Sequence, residues 1–316
     1  MSSFLLKEKT KTSFMKKLLP LSFSTKENYR SSLKKFELFC IETYQGRTSI
    51  EIITELKTLK DNYRDEAFYE ILQGFVNWLM TKVLSNTTVN QYSQIITFYL
   101  SYHGIRVHAS EIRQNVRKPR KIKEKLHALT KEEILRIFEY SPDFRKMLYL
   151  TLIGSGMRIQ ECVALRKKDF DLQFPKRIKI EIPAKFTKSL TSHTTFVSRE
   201  ASNLLKPHLE SLNENDLVFA TNPYPFHAKM TEIEAFARYR KRAGLTQKYE
   251  STKRHHVTLH SFRSYFFTNA RRAHDTDIAH AMVGHTTYLG MYDRKTDTEM
   301  LELYLKTEPL LRILRH

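Results

Sequence analysis

Apolar residues recur at helical spacing in three stretches of the N-terminal third of the chain, so that each stretch gives one face of a predicted helix. These faces consist of Tyr29, Leu33, Phe36 and Cys40, then Phe68, Leu72, Phe75 and Leu79, and then Val89, Tyr92, Ile96 and Tyr99. We therefore predict a small all-helical domain over residues 24–107. Residues 1–23 are basic and weakly patterned, and they are expected to form a flexible N-terminal arm with some helical content.

Cap residues mark where these helices are expected to begin and end. Ser24, with Glu27 three residues later, has the spacing of a capping box. Thr87 or Thr88 is expected to cap the third helix. Gly104 is expected to end that helix, because glycine readily adopts the left-handed conformation that follows a helix C-terminus.

The C-terminal part of the chain opens with a second capping box, formed by Thr130 and Glu133. Residues 147–153 are apolar except for Thr151 and predict a buried helix, which a glycine-serine-glycine turn ends. Helical patterns resume after residue 198 and continue almost to the C-terminus. We predict a second domain over residues 128–316.

One segment of this second domain has strand patterns. Isoleucine alternates with other residues over 178–182, and residues 195–197 form a second run of β-favouring side chains. The stretch between them, residues 183–193, is polar and rich in Lys, Thr and Ser. The pattern indicates a β-hairpin with a long basic loop, within a fold that is mainly α with a small β-hairpin or sheet.

Residues 108–127 separate the two predicted domains and read HASEIRQNVRKPRKIKEKLH. Lys and Arg far outnumber Glu in this stretch, it contains a proline, and the helical period is lost. We predict a basic linker that crosses a phosphate backbone. The cations expected to contact DNA are Arg117, Lys118, Arg120, Lys121, Lys123 and Lys125.

Composition narrows the class of protein. Eight Gly and nine Pro in 316 residues are few, which favours helix over a loop-rich β fold. Two cysteines are too few for a disulfide scaffold or a cysteine-rich zinc site. Apolar runs stay shorter than the roughly 18 residues of a membrane span, and lysines interrupt the apolar N-terminus, so neither a span nor a signal peptide is predicted.

Net charge indicates the partner. The chain has 53 Lys and Arg against 34 Asp and Glu, a formal charge of +19. A charge of this size points to nucleic acid, and less strongly to an anionic membrane surface. We therefore expect a cytoplasmic, two-domain, mostly helical protein that binds nucleic acid.

The sequence GSGMRIQE places Arg158 in the first turn of a helix, with Glu161 one turn later. A guanidinium group binds two phosphate oxygens well, and a helix N-terminus adds positive potential. The alternative interpretation is an ordinary surface ion pair between residues three apart.

Farther along, Lys188 lies in the predicted hairpin loop, where a lysine can reach DNA and protonate a leaving oxygen. Lys185 competes for that role. For either lysine on its own, the alternative interpretation is an ordinary solvent-exposed side chain.

Two further segments contain histidine. His260 and Arg263 are three residues apart and would share one face of a helix. His285 follows a glycine and precedes Tyr288 and Tyr292. A tyrosine is a poor nucleophile at neutral pH unless cations and a base surround it. Packing roles are the ordinary alternative for each of these side chains.

Taken together and in this order, the segments GSGMRIQE, FTKS, LHSFR and MVGH resemble those of the tyrosine recombinases, the family of the integrases, Xer and Cre. The resemblance covers nearly the whole chain. It implies an N-terminal helical core-binding domain of SAM-like type and a C-terminal catalytic domain. The family's catalytic residues correspond to Arg158, Lys188, His260, Arg263, His285 and Tyr292, with Glu161 as the acidic residue that supports the first arginine.

The resemblance implies site-specific cutting and rejoining of double-stranded DNA through a 3′-phosphotyrosyl intermediate. Bond energy is kept in that intermediate, so neither a metal nor another cofactor is expected. The family acts as a tetramer on two DNA sites, and the apolar C-terminal tail is expected either to dock into a neighbouring subunit or to pack on its own domain. Tyr92, Asn90 and Gln91 are placed where they could reach a DNA groove, with no assignment of bases.

The sequence departs from the usual pattern near the nucleophile. Tyr292 lies seven residues after His285 where nine is more usual, so Tyr288 and Tyr304 remain alternatives. The features that follow Tyr292, an arginine and an acidic helix start, favour it. These departures favour a mobile-element integrase. The alternatives are an Xer-type dimer resolvase, a non-catalytic DNA-binding accessory protein and, in related chemistry, a type IB topoisomerase.

Overall fold

The computed structural model describes residues 9–285 and 295–314. Helices dominate these residues, and a small antiparallel sheet of three strands lies in the C-terminal half. The α-helices are α1 (Lys11–Lys17), α2 (Phe23–Thr43), α3 (Ser49–Thr58), α4 (Asp61–Met80), α5 (Asn86–Tyr102), α6 (Ala109–Asn115), α7 (Lys131–Glu139), α8 (Asp143–Ser155), α9 (Ile159–Cys162), α10 (Arg199–Glu210), α11 (Pro225–Arg242), α12 (Leu259–Ala273), α13 (Thr276–Met282) and α14 (Asp297–Thr307). The strands are β1 (Phe170–Asp171), β2 (Lys179–Ile182) and β3 (His193–Phe196), in the order β1-β2-β3.

The chain divides into two compact units. The first, the helical unit, runs to Glu124 and includes Glu250–Lys253. The second comprises Lys125–Tyr249 and Arg254–His316, and it is named the catalytic unit because it contains the residues predicted to be catalytic. The predicted linker is therefore not a free connection over its whole length, because α6 forms inside it and packs Ile112 and Val116 into the helical core. α6 has seven residues with Ile112 as its one buried side chain, which is too little to give a helical period in the sequence.

Aromatic side chains fill the core of the helical unit. The rings of Phe36 and Phe75 meet edge to face with their centroids 5.3 Å apart. Phe14, from α1, is fully buried, and its ring centroid lies 5.0 Å from that of Tyr99. The helical content predicted for the arm is confirmed by α1, whereas its predicted flexibility is wrong there, since burial of this phenylalanine fixes the helix on the helical unit.

Two predicted caps are wrong by about half a turn, and others are confirmed. Ser22, and not Ser24, caps α2, because its hydroxyl accepts the backbone N–H of Thr25. Similarly, Ser85 caps α5 in place of Thr87 or Thr88. The helix stop at Gly104 is confirmed, as are the Thr130–Glu133 capping box and the turn after α8.

The predicted β-hairpin is confirmed as β2 paired with β3. Ile180 and Ile182 point into the core of the catalytic unit, as the alternation predicts. The third strand, β1, has two residues and pairs with β2, and it was too short to leave a period in the sequence. Pairing of Ile182 with His193 places the start of β3 opposite the end of β2.

The C-terminal tail, as far as Leu314, packs on its own catalytic unit. Leu311 and Ile313 are buried, and the backbone N–H groups of Ile313 and Leu314 donate to the Glu200 carboxylate. Of the two expected arrangements of the tail, this supports packing on its own domain. In the described part of the chain, every helix falls short of the length and apolarity that crossing a membrane requires.

Phe14→Ala tests whether α1 belongs to the folded helical unit. Loss of a fully buried phenylalanine should lower the free energy of unfolding by about 3 kcal/mol. Trp78 is the single tryptophan of the chain and lies in the helical unit, so its fluorescence during urea unfolding reports this unit. Tyr63→Ala, which changes a well-exposed aromatic residue of α4, should shift the same transition by less than about 0.5 kcal/mol. Equal effects of the two substitutions would contradict the packing role of α1.

Candidate active site

The turn between α8 and α9 positions the first arginine. Gly156 follows α8 in the left-handed conformation, with φ of 67°, and Arg158 then serves as the N-cap of α9. Glu161 reaches back from α9, and its carboxylate accepts the backbone N–H of Arg158 and a guanidinium N–H of the same residue, each at 2.7 Å. Only 1% of Glu161 is exposed, so the pair is not the ordinary surface ion pair that the spacing also allowed.

The second arginine, Arg263, is itself buried, with 4% exposure, on the inner face of α12. Its guanidinium donates to the carbonyl oxygens of Gly156, at 2.8 Å, and Val283, at 2.7 Å. It also approaches Nε2 of His285 at 3.0 Å and a carboxylate oxygen of Glu161 at 4.0 Å. Arg263 therefore ties the end of α8 to the end of α13.

Glu161 is the one carboxylate that faces both guanidinium groups in the described residues. Burial and the neighbouring Arg158 lower the pKa of Arg263 to about 10, while Glu161 acts in the opposite direction. Arg263 stays protonated at neutral pH, so the cluster retains an excess of one positive charge. A buried cation excess with planar donors suits an anion with several oxygens, such as a phosphate group.

Both predicted histidines lie next to these arginines. His285 contacts Arg263, and its partial burial, together with Arg263 and Arg158, lowers its pKa to about 4. His260 sits one turn before Arg263 on α12. Partial burial, followed by the effects of Arg263 and Arg158, lowers the pKa of His260 as well. Both imidazoles are therefore more readily kept neutral than free histidine at neutral pH.

His193 is a member of the cluster that the sequence analysis missed. Its ring packs directly on Gly284, since a Cβ placed on Gly284 would lie 2.6 Å from the ring atoms. Burial lowers the pKa of His193, with Glu161, Arg263 and Arg158 as its nearest charged neighbours. Its Nδ1 is buried and has no hydrogen-bond partner among residues 9–285 and 295–314. A histidine at the start of a strand gives no signal in the sequence, because only the hairpin register brings it here.

The two candidate lysines lie in the loop between β2 and β3. Lys185 and Lys188 are both exposed, and neither is linked to the arginine cluster by a hydrogen bond or ion pair within the described part of the chain. The amino group of Lys185 lies 4.9 Å from the centre of the Phe186 ring. The Thr187 hydroxyl bonds with the backbone of Thr191, so Lys188 lies within the closed turn 187–191 with its side chain exposed. The choice between the lysines stays a prediction.

Of the three candidate nucleophiles, Tyr304 alone lies within the described residues. Its hydroxyl donates to the carbonyl oxygen of Gly154 at 2.7 Å, and the side chain is 2% exposed. Burial raises its pKa well above the ordinary value for tyrosine. These features fit a packing role for Tyr304. Tyr288 and Tyr292 lie outside the described residues.

The six basic residues predicted to contact DNA are all exposed. Within the helical unit, side-chain amides hold the backbone that carries the first of them. Gln73 accepts the N–H of Arg117 at 2.7 Å, Asn90 donates to the carbonyl of Pro119 at 2.9 Å, and Asn86 donates to that of Arg120 at 2.8 Å. Asn90 is therefore engaged with this segment, contrary to the expectation that it reaches toward a DNA groove.

Sequence comparison finds similarity both to a protein family and to individual proteins. A model of the phage integrase family matches residues 127–292. The tyrosine recombinase XerA of Thermococcus kodakarensis is 32% identical over 102 residues, which are 31% of this chain and 34% of that protein. The XerA of Thermococcus onnurineus is 29% identical over 103 residues, or 31% of this chain and 35% of that protein. The matched segment thus spans about a third of the length of these curated relatives.

Solved structures share the fold at low sequence identity. A lambda integrase dimer bound to a core site has a TM-score of 0.59 and 16% identity, with 90% of this chain and 96% of that chain covered. XerH bound to its difH substrate has a TM-score of 0.54 and 20% identity, covering 92% and 82%. A lambda integrase tetramer on a Holliday junction has a TM-score of 0.59 and 15% identity, covering 91% and 79%. The predicted fold class, mainly α with a small β-sheet, is confirmed, and these structures share its fold.

Gly284→Ala tests the contact between His193 and the backbone beside His285. Gly284 has φ of 66°, so alanine adds strain of about 1–2 kcal/mol. The clash with the His193 ring should add roughly another 1–3 kcal/mol. Gly244→Ala is the matched control, because Gly244 has φ of 72° and open space around it.

The two variants are compared by calorimetric unfolding, with and without His193→Ala. Gly284→Ala should lose more stability than Gly244→Ala, and His193→Ala should remove most of that difference. Equal losses for the two glycine variants would mean that the His193 ring is not seated on Gly284.

Proposed function

We propose, on the premise that the chain belongs to the phage integrase family, that it is a site-specific DNA recombinase acting through a 3′-phosphotyrosyl intermediate. The observation that carries the proposal is the cluster of Arg158, Glu161, Arg263 and His285, in which Glu161 and Arg263 are buried. Two guanidinium groups share one carboxylate there, which leaves an excess of positive charge beside neutral imidazoles.

The arginines bind the phosphate group in this mechanism. Cleavage of a DNA phosphodiester builds negative charge on the two non-bridging oxygens, and preorganised donors lower the barrier by meeting that charge. Arg263 is held by two backbone carbonyls, so its guanidinium does not need to reorganise when charge develops. Arg158 is the more exposed of the two, with 29% of its side chain accessible, and it is oriented by Glu161.

We assign Tyr292 as the nucleophile from its place in the sequence, since Tyr304 is buried and hydrogen-bonded. The phenolic oxygen attacks phosphorus as its proton passes to His260, and the 5′-oxygen leaves with a proton from Lys188. His285 contacts the scissile phosphate. A 5′-hydroxyl of the partner strand then attacks the phosphotyrosyl bond and restores the phosphodiester and the free tyrosine. The number of phosphoester bonds is unchanged, so the chemistry needs no ATP, metal or other cofactor.

Double-stranded DNA is the proposed substrate, bound chiefly through phosphate contacts. The net charge of +19 supports this, as do the exposed cations of the segment that was predicted as a linker. The amide bonds from Gln73, Asn86 and Asn90 fix the backbone beneath the first of these cations, which lowers the entropy lost when they bind phosphate. We propose assembly as a tetramer on two sites, by analogy with the lambda integrase tetramer on a Holliday junction.

For the biological role we propose integration of a mobile element, because the spacing between His285 and Tyr292 departs from the usual pattern. Dimer resolution is the second candidate, and the similarity to the XerA tyrosine recombinases favours it. The two roles share the same chemistry and differ in the DNA sites that are joined. A two-site recombination assay beside a supercoil-relaxation assay separates both from topoisomerase activity.

Covalent capture tests the proposed reaction directly. DNA that contains the target site, with a nick near the cleavage point, should trap a protein–DNA adduct in the unchanged protein. Arg158→Ala or Arg263→Ala should slow adduct formation by about 10²-fold or more, because each removes a donor to the transition state. DNA affinity should change little, since binding is distributed over many cations. Arg271→Ala, at an exposed position of the same helix as Arg263, is the control.

Tyr292→Phe in the same assay should abolish the adduct while folding and DNA binding are retained. Mass spectrometry of the adduct peptide identifies the nucleophile, and a phosphotyrosyl group at Tyr288 or Tyr304 would overturn the assignment. A complete lack of adduct in the unchanged protein would favour the non-catalytic accessory protein.

A bridging 5′-sulfur in the DNA tests the role of the lysine. Lys188→Ala should slow cleavage of the normal substrate by about 10²-fold, the range typical of a lost general acid. Cleavage of the 5′-thio substrate should be nearly unaffected, because a thiolate leaves without a proton. Lys185→Ala is the matched control from the same loop. If the thio substrate restored cleavage in Lys185→Ala and not in Lys188→Ala, Lys185 would be assigned as the general acid instead.

A further inference from the structure

His280 is a residue of the cluster that the proposed reaction leaves without a role. It lies in the last turn of α13, five residues before His285. The Nδ1 atoms of the two imidazoles are 2.9 Å apart, and the backbone N–H of His285 donates to the carbonyl of His280 at 3.0 Å. The ring of Phe267 lies 4.9 Å from that of His280, centre to centre, and limits its movement.

Donor and acceptor requirements fix the proton positions in this chain of contacts. A guanidinium group can only donate, so Nε2 of His285 must accept the hydrogen bond from Arg263. A neutral imidazole has one N–H, which places the proton of His285 on Nδ1. That N–H points at Nδ1 of His280, which must therefore accept, and the proton of His280 is on Nε2. The lowered pKa of His285 agrees with a neutral ring in the unliganded protein.

We infer that His280 is a positioning residue, which accepts the Nδ1–H of His285 and thereby keeps Nε2 of His285 directed at Arg263 and the phosphate site. This role rests on the proposed function of the cluster. When a phosphate oxygen occupies the site, it becomes the acceptor for the Arg263 N–H, and Nε2 of His285 is then free to take up a proton from solvent and to donate a hydrogen bond to the same phosphate group. Nδ1–H stays on His280 throughout, so the ring does not have to turn.

The alternative tautomer shows why an acceptor at position 280 matters. If Nε2 of His285 carried its only proton, an N–H would face the N–H groups of Arg263 across 3.0 Å, and both would lack an acceptor. Removal of the acceptor at position 280 takes away the hydrogen bond that opposes this arrangement. A side chain that merely filled space beside Phe267 would not influence which tautomer His285 adopts.

Two variants separate the hydrogen bond from packing. His280→Gln can still accept the Nδ1–H through its Oε1 atom, whereas His280→Leu fills similar space and cannot accept. His274→Leu is the matched control, because the His274 ring bonds to the carbonyl of Leu303 and not to a residue of the arginine cluster. Ring nitrogen-15 shifts of labelled histidine report the tautomer of His285 in the free protein without any substrate.

The tautomer measurement gives the first outcome. His285 should carry its proton on Nδ1 in the unchanged protein, in His280→Gln and in His274→Leu. His280→Leu should shift His285 to a mixture of tautomers or to Nε2–H. The same proton position in His280→Leu as in the unchanged protein would overturn the inference, whatever the activity.

The covalent-capture assay gives the second outcome. His280→Leu should form the adduct about tenfold more slowly at unchanged DNA affinity, in line with loss of a hydrogen bond to a charged group. His280→Gln should recover to within about threefold of the unchanged protein. Equal slowing in the Gln and Leu variants would overturn the positioning role. If the unchanged protein forms no adduct, the proposed function fails, and the nitrogen-15 result still decides the tautomer.

Discussion

The Glu161 carboxylate is the interaction on which the arginine cluster depends. It is almost fully buried, and it receives both the backbone N–H and the guanidinium of Arg158 while facing Arg263 at 4.0 Å. Without it, two guanidinium groups would share a buried space with no counter-charge, and removal of one partner from such a buried group typically costs about 3–5 kcal/mol. One carboxylate for two cations lets the site fold and still leaves a positive charge for an anion.

Backbone carbonyls complete this arrangement, and they come from distant parts of the chain. Arg263 donates to Gly156, at the end of α8, and to Val283, just after α13. The same guanidinium contacts His285, and the His193 ring covers Gly284, which lies between Val283 and His285 in the chain. Because a single buried arginine joins these elements, a shift in any of them alters the position of the others. The packing of the catalytic unit and the geometry of its site are therefore not separable.

The helical unit uses side-chain amides in a similar way to order a charged segment. Three side-chain amides hold the backbone around residues 117–120, while the basic side chains of that stretch remain exposed. The segment has few apolar residues of its own, and its order comes from contacts with α4 and α5. Its composition predicted a basic linker and gave no sign of these contacts, because composition reports charge and hydropathy and does not report partners.

Sequence patterns alone determined the local features of this protein. Capping pairs such as Thr130 with Glu133, the alternation of Ile180 and Ile182, and the three-residue spacings of Arg158 with Glu161 and of His260 with Arg263 depend on neighbours within a few residues, so they can be read along the chain. The order of the short motifs indicated the family, and the net charge indicated a nucleic-acid partner. Errors at this level were small, as with the cap of α2, because serines lie on both sides of Phe23 and each is a competent cap.

Tertiary structure alone decided which of these residues meet and which others join them. His193 enters the cluster through the register of β2 with β3, and His280 through a ring contact with His285. Phe14 shows the same principle in the core, since a weakly patterned basic stretch is fixed by one buried ring. Tyr304 illustrates the reverse case, where a plausible nucleophile is bonded to the carbonyl of Gly154. Contacts between residues far apart in the chain leave no periodic trace, because they depend on packing geometry that spacing along the sequence does not encode.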